Sequence, residues 1–162
     1  MLTIRPATID DLDTLTAIEA ASFPPEEKAT RESFEKRLAV FADCFLLACD
    51  DGRPVALIDG MATDSRTIED EMFEDAALHN PKGAWQSVFG FCALPEARGK
   101  GFAPALMKAF IEKAKKEGRQ GVILTCKDVL IDYYAAYGFV LKGLSKSEHG
   151  GARWYDMEIV FD

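Results

Sequence analysis

The chain has 162 residues, 48% of them hydrophobic and 28% charged, with a formal net charge of −8. Its length suffices for one domain over residues 1–162 with a full core, and it has no run of about 18 apolar residues of the kind that spans a membrane. The acidic balance argues against a nucleic-acid partner, which requires a basic face, and residues 1–6 lack the basic and apolar regions of a signal peptide, so a cytoplasmic location is expected.

In chain order, residues 2–5 alternate as a first strand that Pro6 stops. Thr8, Asp10 and Asp11 then open a helix to about residue 21, with Leu12, Leu15 and Ile18 on its buried face and Ser22 a further candidate for it. Phe23-Pro24-Pro25 breaks that helix, and a second one runs from Thr30 to about residue 40. Two apolar runs, 44–49 and 55–61, flank a hairpin turn in which Gly52 takes positive φ. Residues 64–83 are acidic and irregular, a solvated loop or short exposed helix. A strand over 85–93 leads through a glycine turn into a helix from Phe102 that Gly118 closes. A β-branched buried strand over 121–126 follows, then a short helix over 129–136 ending at Tyr137-Gly138. Strands over 139–144 and 154–161 complete the order β-α-α-β-β-β-α-β-α-β-β, an α/β mixed sheet with helices on both sides.

The four cysteines, Cys44, Cys49, Cys92 and Cys126, occupy apolar runs. They form no C-x-x-C pair and the chain has only two histidines. Free buried thiols and no metal are therefore expected. The glycine turn carries the sharpest chemical signal. A strand, a tight turn and a helix N-terminus in that order aim unpaired N–H groups and the positive end of the helix dipole at one point, which suits a phosphate. A Walker A loop is excluded because Leu94 and Gly101 stand where it needs a glycine and a Ser or Thr. The three-glycine dinucleotide pattern is excluded because only two glycines are present.

Arg98-x-x-Gly101-x-Ala103 resembles the pyrophosphate loop of the GCN5-related N-acetyltransferases (GNAT superfamily). The segment Tyr133-Tyr134-x-x-Tyr137-Gly138-Phe139 resembles a second motif of that family, and the likeness extends from Ile4 to Phe161. Residues 77–83, 99–101 and 124–128 further resemble the arylalkylamine (serotonin-type) branch. That branch carries two proton-relaying histidines on its fourth strand, where this chain has Trp85 and Ser87.

The resemblance implies an N-acetyltransferase fold and acetyl-CoA as cosubstrate, with no metal. The pyrophosphate would lie on Ala97, Arg98, Gly99, Lys100, Gly101, Phe102 and Ala103. The pantetheine arm would pair with the backbone of Phe89, Gly90 and Phe91, with the Phe91 amide on the thioester oxygen and Tyr137 flanking the cofactor. Tyr134 is the implied general acid, since a phenol stays protonated near neutral pH. For the base, Glu26 or Glu27 competes with a water held by Ser87. His79 reads as structural, and Cys126 has no neighbouring His to make it a nucleophile. The expected acceptor is a small-molecule primary amine, arylalkylamine- or polyamine-like, attacking directly in a ternary complex. A protein N-terminus, a lysine or an aminoglycoside is the alternative acceptor, and a non-catalytic CoA-binding module is the alternative role. No nucleic acid or membrane partner is expected, and the chain would be a monomer or homodimer.

Overall fold

A computed structural model describes residues 1–162. Strand β1 (Leu2–Pro6) leads to helix α1 (Leu12–Ala20), entered through a reciprocal cap between Thr8 and Asp11. Thr30 caps α2 (Arg31–Phe41) by accepting the Ser33 N–H at 3.1 Å. The hairpin of β2 (Phe45–Asp50) and β3 (Arg53–Asp59) turns at Asp51 and Gly52, both at positive φ. Next come a two-residue strand, β4 (Ala62–Thr63), and a short helix, α3 (Asp70–Glu74). The expected fourth strand is two: β5 (Trp85–Val88) and β6 (Gly90–Ala93). Helix α4 (Phe102–Lys116), β7 (Gly121–Cys126), α5 (Ile131–Ala135), β8 (Val140–Leu144) and β9 (Tyr155–Val160) complete the chain.

The order anticipated from the sequence holds, with three corrections. Residues 64–83 are neither loop nor solvated helix throughout, because Ile68 and Met72 are buried and anchor α3 to the core. Ser22 lies only partly in the core; the fourth residue on the buried face of α1 is Glu19. The break at Phe89 is the third correction, and it positions the site.

At Phe89 the strand changes partners. β6 pairs antiparallel with β3, giving a sheet of order β1-β2-β3-β6, whereas β5 pairs parallel with β7 in a sheet of order β4-β5-β7-β9-β8. The Phe89 N–H donates to the Asp59 carbonyl at 2.6 Å, pulling the chain toward β3 at this residue. The β5–β7 ladder stops at Val88 and Leu124, so Thr125 and Cys126 diverge from β6 and a cleft opens between the sheets.

Two apolar clusters pack on the sheet faces. One joins α1 and α2 through Leu15, Ile18, Phe34 and Phe41; the other joins α4 through Leu106, Met107 and Phe110. Truncating any of these fully buried side chains to Ala costs about 2–5 kcal/mol. The cleft between the sheets is thus held open by two separate cores. All four cysteines are free and buried, and no helix is long and apolar enough to cross a membrane.

Candidate active site

The cleft contains two connected cavities. The first, of about 610 Å³, runs from β6 past the turn before α4. Gly99 and Gly101 hold φ of 76° and 90° there. A Cβ on either would meet nothing, so glycine is required for the left-handed backbone and not for space. This conformation turns the N–H groups of Gly99, Lys100, Gly101, Phe102 and Ala103 away from every acceptor in the chain. Successive unpaired amides at the head of the fifteen-residue α4 form an anion cradle.

Arg98 supports the cradle from behind: its Nε donates to the Ala93 carbonyl at 3.1 Å and its guanidinium reaches the Ser22 hydroxyl at 3.3 Å. Ala97 is buried and donates its N–H to Leu94, and the Lys100 side chain lines neither cavity. The groove is lined along β6 by Phe91, Cys92 and Ala93. Of the expected segment Phe89-Gly90-Phe91, Phe91 lines this groove, whereas the Phe89 N–H is bonded to the Asp59 carbonyl and Gly90 pairs with Asp59 of β3.

The second cavity, of about 190 Å³, is walled by Phe23, Phe73, Phe89 and Trp154 and roofed by His149. Its roof is a clasp of three segments. His149 Nε2 is 2.8 Å from the Glu27 carbonyl and its ring stacks on Phe73, while the Glu148 N–H donates to Asp70 at 3.0 Å. Ser147 also donates to Asp70. Lys127 holds Glu27 at 2.7 Å with the carboxylate largely buried.

Four residues line both cavities: Phe23, Phe91, Leu130 and Tyr134. Tyr134 is 9% exposed and its hydroxyl bonds to no protein group. Burial, reinforced by Cys126 and the neighbouring tyrosines, pushes its phenol well above the ordinary value, so it stays protonated at any working pH. Tyr133 lines the groove, whereas Tyr137 lines neither cavity and pairs hydroxyl to hydroxyl with Tyr133 at 2.9 Å.

The base candidates fare differently. Glu26 is exposed and lines neither cavity, and Glu27 lines the smaller one with its carboxylate on Lys127. Ser87 is fully buried, donates to the Met61 carbonyl at 2.7 Å and lines neither cavity. His79 accepts the Ala62 N–H at 3.0 Å and packs on Phe41.

Two groups escaped the sequence reading. Glu19, 4% exposed, lines the floor of the smaller cavity together with Arg37. It sits at helical spacing beside Leu15 and Ile18, so an acid on an apolar face was the available signal. Asp43, Cys44 and His79 form the other group, with ligand atoms within 4.8 Å of one another. Only the tertiary fold joins these last residues, and they lie away from both cavities.

A family model described as "Acetyltransferase (GNAT) family" matches residues 12–139. No curated protein matches the chain by sequence. Among solved structures, the loading GNATL domain of CurA from Lyngbya majuscula superposes with a TM-score of 0.85 at 14% identity, over 99% of this chain and 98% of that one. The NatC complex bound to Gag peptide and CoA gives 0.79 at 13% identity, over 99% of both chains. PaiA N-acetyltransferase from Thermoplasma acidophilum in complex with coenzyme A gives 0.72 at 17% identity, over 99% of both. At these identities the likeness is one of fold.

Proposed function

The chain belongs to the acetyltransferase (GNAT) family and is an acetyl-CoA-dependent N-acetyltransferase, and on that premise we propose that its acceptor is a small primary amine with an apolar body, attacking directly in a ternary complex. The observation that carries this reading is the junction at Phe91 and Tyr134, where an anion-cradling groove meets an aromatic pocket that contains acids. Glu19 and Glu74 line that pocket without a salt-bridge partner, whereas Arg37 is neutralised by Asp59. A cavity of about 190 Å³ is smaller than those that enclose drug-sized ligands, which favours a compact amine.

The unpaired amides of Gly99 to Ala103 would hold the pyrophosphate of acetyl-CoA, and the β6 edge at Phe91–Ala93 its pantetheine arm. The Phe91 backbone N–H would donate to the thioester oxygen as charge develops there. The amine nitrogen attacks the thioester carbon, the C–S bond breaks, and Tyr134 gives its proton to the leaving sulfur. Burial of Tyr134 keeps that proton available at neutral pH and makes the phenolate costly, so the phenol recovers a proton from the nitrogen in the same event.

A peptide amino-terminus is the runner-up acceptor, supported by the likeness to NatC, whose structure holds a Gag peptide. Thiol release from acetyl-CoA across a panel of small amines and short peptides decides between them. Turnover of small amines is expected; turnover of peptides alone would move the acceptor to a protein terminus. Stabilisation by CoA with no turnover of any acceptor would leave a binding module.

A further inference from the structure

Three buried polar atoms have no partner: Oε1 of Glu19 and Nε of Arg37, whose residues line the acceptor pocket, and Oδ1 of Asp59, the ion-pair partner of Arg37. Orphaned buried groups of this kind are uncommon in folded chains. The two carboxylate oxygens face one point, since a Cβ built on Gly90 would lie 2.8 Å from Glu19 Oε1 and 2.9 Å from Asp59 Oδ1. Gly90 therefore leaves the space in which these carboxylates sit, immediately before Phe91 at the cavity junction. The other oxygens are satisfied: Glu19 Oε2 accepts the Ala29 N–H, and Asp59 Oδ2 accepts from Arg37 at 3.2 Å. Arg37 is held in turn by the Phe73 carbonyl at 3.2 Å and lies over the Phe89 ring at 5.0 Å.

Resting on the amine-acceptor reading above, we propose that Glu19 is the catalytic base, its carboxylate receiving a proton of the substrate ammonium, and that Asp59 and Arg37 are positioning residues beside it. Glu19 reaches the pocket whereas Asp59 does not, so the proton enters at Glu19. The ammonium R–NH₃⁺ gives one proton to the Glu19 carboxylate and becomes R–NH₂, which attacks the thioester carbon. The second nitrogen proton replaces the one Tyr134 gives to sulfur. Glu19 then releases its proton to solvent, so the products are the amide, the free thiol and H⁺.

The surroundings suit this role. Burial is the largest influence on the Glu19 carboxyl, and Asp59 from β3 adds to it. The Ala29 N–H, Arg37 from α2 and Lys28 from the α1–α2 loop oppose it, leaving the group at about 7. Cys92 faces it from β6 as a thiol raised far above neutrality, hence uncharged. Glu19 also lies in the last turn of α1, where the helix dipole disfavours a negative charge. A base that titrates near the working pH both accepts and releases a proton readily.

The test is the pH dependence of kcat/KM for an amine turned over by the wild type, compared with Glu19→Gln and Glu19→Asp. The wild type should show an acid limb with a midpoint near 7. In Glu19→Gln that limb should vanish, with a loss of about 100-fold at neutral pH that shrinks above the pKa of the free amine. Glu19→Asp should keep the limb at reduced rate, and the shift in melting temperature on adding CoA should match in all three proteins. An unchanged limb in Glu19→Gln, or a loss equally large at every pH, overturns the assignment while the amine reading stands. A wild type inert toward every amine overturns both.

Discussion

The donor groove and the acceptor pocket share a wall but are built in opposite ways. The proposed donor cradle is a short contiguous stretch of backbone, Gly99 to Ala103, whose unpaired N–H dipoles are set by two left-handed glycines. The acceptor pocket draws side chains from α1, the α1–α2 loop, α2, α3, the end of β7 and the β8–β9 loop. A backbone cradle recognises a constant ligand and needs little side-chain identity. A pocket assembled from distant segments can change its acceptor by substitution in any one of them. Tyr134 and Phe91 stand where the two meet, so the chemistry belongs to neither half alone.

Substitutions can break this contrast in a ranked way. Tyr134→Phe should lower kcat by about 10²–10⁴-fold while leaving the KM of both substrates nearly unchanged; steady-state kinetics on both substrates checks this, and intact turnover removes Tyr134 as the acid. Next comes Glu19→Gln, read as stability. The folded chain holds the Glu19 proton more tightly than the unfolded one, at about 7 against an ordinary value of 4.5. Its contribution is full below the unfolded value and is lost as pH rises through about 7. The variant should therefore gain about 1–3 kcal/mol on the wild type between pH 5 and pH 8, visible in denaturant midpoints at the two pH values.

Gly101→Val tests the donor side alone. Forcing a β-branched residue to a φ of 90° costs about 1–2 kcal/mol in this conformation. The KM for acetyl-CoA should rise about tenfold with little change in the amine KM, and an unaltered donor KM would falsify the cradle. Lys127→Met is the mildest change. Its pair with Glu27 is partly exposed on the lysine side, so stability should fall by less than about 1 kcal/mol. The effect should instead appear in the acceptor KM, by about two- to fivefold.

Much of the architecture was legible because it follows from local rules. Thr8 and Thr30 announce helix starts through side-chain oxygens that accept first-turn N–H groups, and Gly52 and Gly118 announce a hairpin and a helix end by taking positive φ. The break at Phe89 was not legible. The run 85–93 reads as one strand, and nothing local says that Val88 pairs with β7 while Gly90 pairs with β3. The depth of Ser87 was equally hidden, since it depends on Met61 lying across it.

The sequence by itself determined the donor: glycines at 99 and 101 ahead of a long helix make an anion cradle wherever the rest of the chain goes, because the required conformation is local. Tertiary structure decided which acid is buried beside the proposed acceptor pocket. Glu26 and Glu27 follow a helix-breaking Pro-Pro pair and look accessible, whereas Glu19 looks like an ordinary helical acid. Folding places Glu26 in solvent and Glu27 on Lys127, and it buries Glu19 against Asp59 and Gly90. Proton affinity follows desolvation and neighbouring charge, and both are properties of the packed chain that no sequence spacing contains.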